Sequence, residues 1–120
     1  MGVGMPQGLL LNEFGEHVRA AFGEMAYRVG SSLMQKDGWR DVDVRVLIDD
    51  AVYAELYGDP DQAHWSAAWR ATVLAWSSFG RTLTGLPIDF QIQPRKWANE
   101  KFSGQRSALC TVNRPTPGKE

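Results

Sequence analysis

Two short stretches of strict period-two alternation constrain this chain more than anything else in it. Over residues 41–49, Val42, Val44, Val46 and Ile48 fall on one face of an extended backbone, and Asp41, Asp43, Arg45 and Leu47 on the other. Over residues 87–93 the same alternation sets Ile88, Phe90 and Ile92 against Asp89, Gln91 and Gln93. Each stretch reads as a strand with one buried and one wet face. A shorter strand is expected over residues 26–29, ending at Gly30-Ser31-Ser32. Sheets of this kind need apolar cover on one side, and the chain supplies it. Leu11, Phe14, Val18, Phe22 and Met25 recur every three or four residues, which predicts a helix over about 9–25. Asp59-Pro60-Asp61 is a helix start, with Asp59 as N-cap and Pro60 in the first helical position. That helix is expected to run to about residue 79 with Trp65, Trp69, Val73 and Trp76 along one side, closed by Gly80, Gly85 and Pro87. A helical turn over about 32–35 and a short helix after Pro94, through Trp97 and Phe102, complete an α-β-α-β-α-β-α order. The expected fold class is α+β (α/β): a small mixed sheet of about three strands, with helices packed mainly on its apolar face.

A chain of 120 residues that is 43% hydrophobic and 22% charged has the balance of one globular domain rather than of a disordered segment. The domain is expected over residues 1–110, followed by a frayed tail over 111–120. No apolar run approaches the roughly 18–20 residues that cross a bilayer, so no membrane association is expected. The first residues carry no basic leader, and Pro6 stands where a myristoylation signal wants Ser or Thr. The single cysteine, Cys110, cannot form an internal disulfide and lacks a local catalytic signature, which points to a reducing, cytoplasmic setting. The net charge of −1 hides an asymmetry: residues 1–60 carry five basic and ten acidic side chains, residues 61–120 eight and four. The basic surplus after residue 90 suits contact with phosphates or a plain solvated surface.

The polar faces of the predicted strands carry the chemistry. Asp41 and Asp43 stand two residues apart, so their side chains point the same way with Cα atoms roughly 6–7 Å apart. Asp89 occupies the polar face of another strand. If the two strands are neighbours, three carboxylates converge, an arrangement that repels itself unless a cation sits between them. Oxygen-only ligation suits Mg²⁺, and paired ions are the standard device for displacement at phosphorus. Gly30-Ser31 ends the first strand ahead of a helical turn, where a glycine admits close backbone approach and free amides favour a phosphate. Arg45 shares the face of Asp41 and Asp43 and either neutralises them or contacts phosphate. Asp49 and Asp50, at the strand end, are expected to cap the next helix. Trp65, Trp69 and Trp76 read as packing residues. His17 and His64 have no partner at metal-ligand spacing.

Val29-Gly30-Ser31, nine residues, then Asp41-Val42-Asp43-Val44 resembles the signature of the DNA polymerase beta-type nucleotidyltransferase superfamily, and Ile88-Asp89-Phe90 resembles the setting of that family's third carboxylate. The resemblance covers about residues 9–102 in element order and is to the minimal, single-domain members. It implies that Asp41 and Asp43 hold two Mg²⁺ or Mn²⁺ ions. It further implies that Asp89 completes the metal site and orients or deprotonates an attacking hydroxyl, and that Gly30 and Ser31 cradle a triphosphate. Minimal members commonly place an arginine just after Gly-Ser; here Ser32-Leu33-Met34-Gln35 follows, so triphosphate charge falls to Lys36, Arg40, Arg45 or the basic C-terminal segment.

The function expected from this resemblance is transfer of a nucleoside monophosphate from a nucleoside triphosphate to an acceptor hydroxyl, with release of pyrophosphate. The acceptor is a protein side chain, an RNA end or a small molecule, with a partner protein or a second copy supplying what so small a domain lacks. The alternative, motivated by the absent arginine, is a catalytically inactive nucleotidyltransferase-fold module that binds or regulates. Nucleic-acid binding through the basic C-terminal segment is a third expectation.

Overall fold

The computed structural model describes residues 6–30, 41–102 and 104–111. Ser31, Lys36, Arg40, the helical turn expected over 32–35 and nearly all of the expected tail lie outside them. Among the described residues the elements run α1 (Gln7–Phe22), β1 (Ala26–Val29), β2 (Val42–Ile48), α2 (Asp50–Tyr57), a 3₁₀ turn (Pro60–Trp65), α3 (Ala67–Thr84), β3 (Ile88–Pro94), α4 (Arg95–Lys101) and β4 (Arg106–Ala108). The fold is a mixed α+β arrangement, with four strands in the order β3-β2-β1-β4 and helices packed on the sheet.

Strand β2 pairs antiparallel with β1 and parallel with β3, with Asp43 opposite both Val29 and Asp89. Parallel neighbours need a long crossover, and the stretch holding α2, the 3₁₀ turn and α3 provides it. The alternation read in the sequence is realised: Val42, Val44, Val46, Ile88, Phe90 and Ile92 are fully buried, while Asp43, Arg45, Asp89 and Gln91 are partly open. Leu11, Phe14 and Val18 of α1 and Val73 of α3 close over the apolar side, where Phe14 sets its ring edge-on to Phe90 and Trp76.

Helix α3 also finishes the outer edge of β3. Trp69 Nε1 donates to the Ile92 carbonyl at 2.9 Å and Arg81 Nε to the Ile88 carbonyl at 3.0 Å, while Ser77 Oγ accepts from the Phe90 amide at 2.9 Å. Three side chains at spacings of eight and four lie on one helix face, so one helix satisfies three edge groups that would otherwise template another strand.

Among the described residues the sheet holds the three expected strands and a fourth, β4. Strand β4 spans three exposed residues and is held to β1 by backbone pairing, so it leaves no hydrophobic alternation to read. The helix expected from residue 59 to about 79 is two elements, because the backbone departs from helical geometry at Gln62 and Ser66 recaps the chain by accepting from the Trp69 amide. Trp65 therefore leaves the stripe of Trp69, Val73 and Trp76 and stands 77% exposed. Gly80 does not end the helix. A Cβ there would lie 3.0 Å from both Ile88 and Phe14, so Gly80 is where the helix touches the sheet, and Gly85 supplies the left-handed cap. Helix α2 had no place in the expected element order, although its cap did. The Asp49 carboxylate accepts from the Ala51 and Val52 amides. Asp50 instead caps α4 from 46 residues away, accepting from the Lys96 and Trp97 amides. No helix among the described residues is long and apolar enough to cross a membrane.

Candidate active site

The pairing of β2 with β3 places the acidic residues. Asp43 and Asp89 are directly opposed across the parallel pair, and Asp41 stands just before β2 on the same side of the sheet. One carboxylate oxygen from each of Asp41, Asp43 and Asp89 lies within 4.8 Å of the others. Strand β1 contributes Gly30, whose φ of +80° takes the chain sharply away after Val29. A Cβ at Gly30 would lie 2.6 Å from Asp43 Oδ2, so bare backbone is what lets residue 30 sit against the carboxylate.

Arg45 is the cation in this row. Its Nη2 lies 3.8 Å from both Asp43 Oδ1 and Asp89 Oδ2, too far for a hydrogen bond to either. Its hydrogen bonds go to backbone: Nη1 donates to the Asp89 carbonyl at 2.8 Å and to the Val44 carbonyl at 3.1 Å. The guanidinium is thus anchored to the strands and screens the acids without occupying their lone pairs. Among the described residues, three carboxylates stand against one guanidinium within 4 Å of two of them. Burial pushes the Asp43 carboxyl above the usual carboxylate range, and Asp89 and Asp41 add to the shift while Arg45 opposes it. Burial pulls the Arg45 guanidinium below its ordinary value, opposed by Asp89, Asp43 and Asp41. Such a donor set, all oxygen with Asp43 and Asp89 half-buried and Asp41 exposed, is of the kind that could hold a hard divalent cation such as Mg²⁺ or Mn²⁺.

Comparison with family models, with curated proteins and with solved structures finds no match for this chain. Its chemistry therefore has to be read from the residues themselves.

Of the residues singled out in the sequence, the fold brings Asp41, Asp43, Asp89, Gly30 and Arg45 together. Ser31, Lys36 and Arg40 lie outside the described residues. What sequence reading missed is a cavity of about 470 Å³ beside the carboxylates, on the wet face of the sheet. Its floor includes Tyr27, Leu47, Gln91 and Gln93, and the segment after α4 walls it with Phe102 and Arg106. The polar strand positions of Gln91 and Gln93 were visible as alternation. Nothing in the sequence showed that Phe102 and Arg106 come to lie beside them.

Proposed function

We propose that the protein is a metal-dependent nucleotidyltransferase that moves a nucleoside monophosphate from a nucleoside triphosphate to an acceptor hydroxyl and releases pyrophosphate. The observation that carries this reading is the meeting of Asp41, Asp43 and Asp89 within 4.8 Å, with Arg45 held off at 3.8 Å from Asp43 and Asp89. Asp41, Asp43 and Asp89 would hold two Mg²⁺ or Mn²⁺ ions, which supply charge neutralisation at the phosphorus and at the oxygens entering and leaving it. Asp89 orients the acceptor hydroxyl or takes its proton. Gly30 lets the backbone approach the phosphates, and Ser31, Lys36 and Arg40 are the further residues assigned to them. Arg45 fixes the two strands and offsets charge as it builds in the transition state. The acceptor is a protein side chain, an RNA end or a small molecule, presented with help from a partner protein or a second copy of the chain. A lone cysteine suits work in the reducing cytoplasm.

The test is incubation of the full chain with Mg²⁺ or Mn²⁺ and α-labelled nucleoside triphosphates, against protein, RNA and small-molecule acceptors. Label moves to an acceptor with wild type and falls to background with Asp43→Ala; label transfer unchanged in that variant, or none with any acceptor and no metal-dependent nucleotide binding, overturns the reading.

A second reading is favoured by the ion pairs of Arg45 to Asp43 and Asp89: an inactive module in which the guanidinium is the resident counter-ion. It predicts that Mn²⁺ binds only after Arg45→Met, whereas the enzyme reading predicts Mn²⁺ binding by wild type.

A further inference from the structure

The cavity beside the carboxylates has a composition that the metal chemistry does not require. In cross-strand register, Tyr27 of β1, Arg45 of β2 and Gln91 of β3 form one row, and Leu47 and Gln93 form part of the next, farther from Asp43 and Asp89. Gln91 and Gln93 are two residues apart on β3, so both amides emerge on the cavity side roughly 7 Å apart. Both are half-buried, and among the described residues neither side chain makes a hydrogen bond. An amide carries a donor pair and an acceptor on one planar group, and at these two positions both remain open to the cavity, where a ligand can take the place of water. Leu47 and the Phe102 ring give the same cavity apolar walls.

We infer that this cavity is the base pocket of the donor nucleotide, with Gln91 and Gln93 reading the hydrogen-bonding edge of the nucleobase. The inference rests on the nucleotidyltransferase reading above and adds a substrate-recognition role that the metal site alone does not give. From Asp89 to Gln93 the strand covers roughly 13 Å, a span that suits a nucleoside monophosphate laid along β3 with its phosphate at the carboxylates. A planar heterocycle with adjacent donors and acceptors matches two amides between apolar walls. Arg106 lies on β4 opposite Val29, in the same row as Asp43 and Asp89, so a cation also stands at the phosphate end.

The experiment is calorimetric titration of the full chain in Mn²⁺ with ATP, GTP, CTP, UTP and inorganic tripolyphosphate, for wild type, Gln91→Leu, Gln93→Leu and Gln93→Glu. At least one nucleotide binds wild type about tenfold tighter than tripolyphosphate, and each leucine variant erases most of that advantage while tripolyphosphate binding stays as it was. Gln93→Glu replaces the donor with a second acceptor and changes which base is preferred, which keeps the test available if a leucine variant does not fold. The inference is overturned if no nucleotide outdoes tripolyphosphate, or if the advantage survives every substitution, as it would with the acceptor in this cavity. In both of those cases tripolyphosphate still binds with Mn²⁺ and the metal-site reading stands. Binding of neither nucleotide nor tripolyphosphate in Mn²⁺ removes the metal-site reading and this one with it.

Discussion

The two faces of strands β2 and β3 are built from the same fourteen residues and obey different rules. On one face Val42, Val44, Val46, Ile88, Phe90 and Ile92 are fully buried beneath α1 and α3. On the other, Asp43 and Asp89 oppose each other across the strands, with Arg45 3.8 Å from each and an open cavity alongside. The first face lowers the free energy of the fold. The second raises it, because carboxylates are drawn together and partly stripped of water with one guanidinium to offset them. Close packing on one side thus supports a concentration of charge on the other that would not hold itself together.

That contrast predicts substitutions of opposite sign. Phe90→Ala removes a ring packed against Phe14, Phe22 and Trp76, and it costs about 3–5 kcal/mol in urea unfolding, a large share of the roughly 5–15 kcal/mol that holds a domain folded. A loss under 1 kcal/mol would mean that the apolar face does not carry the fold. At the boundary between the faces, Gly30→Ala forces a left-handed φ on a residue with a Cβ and drives that Cβ against Asp43. It costs about 1–2 kcal/mol and weakens Mn²⁺ binding at the same time. Stability loss with unchanged Mn²⁺ affinity would separate Gly30 from the carboxylates.

The smallest effect has the reverse sign. Because the Asp43 carboxyl is raised in the folded state, it gives up its proton at higher pH there than in the unfolded chain. The associated stability is complete below the ordinary carboxylate range and is lost as pH rises through the folded value. Asp43→Asn cannot ionise, so without metal it melts about 2–4 °C above wild type at pH 7, and the gap closes toward pH 4. A variant that melts lower than wild type at pH 7 would mean that Arg45 more than compensates the acid. Saturating Mn²⁺ reverses the ranking at pH 7, since only wild type keeps the full ligand set.

How much of this was legible in the sequence follows from the same contrast. Alternation over β2 and β3 is a direct image of one buried and one wet face, so both strands and the facing of Asp43, Arg45 and Asp89 could be read residue by residue. That β2 and β3 are neighbours in register could not be read, because pairing depends on the crossover and its packing. Strand β4 and the fold-back after α4 were hidden for a different reason. Arg106, Ser107 and Ala108 are exposed and held by backbone hydrogen bonds to β1, and backbone pairing leaves no side-chain pattern. The break at Ser66 was obscured by Trp65, whose spacing continues the stripe of Trp69 and Trp76 although its ring faces solvent. Gly80 misled in the opposite way, since a glycine needed for helix–sheet contact looks in sequence like a helix stop.

The central claim is that Asp41, Asp43 and Asp89 form one cation site. It is tested most directly by diffraction from crystals of the full chain soaked in Mn²⁺ and a non-hydrolysable nucleoside triphosphate, recorded for the anomalous signal of manganese. The account predicts two manganese peaks at the carboxylates of Asp41, Asp43 and Asp89, with phosphate density between them and Gly30. No peak there at saturating Mn²⁺, with Arg45 drawn in to hydrogen-bond Asp43 and Asp89, would contradict it.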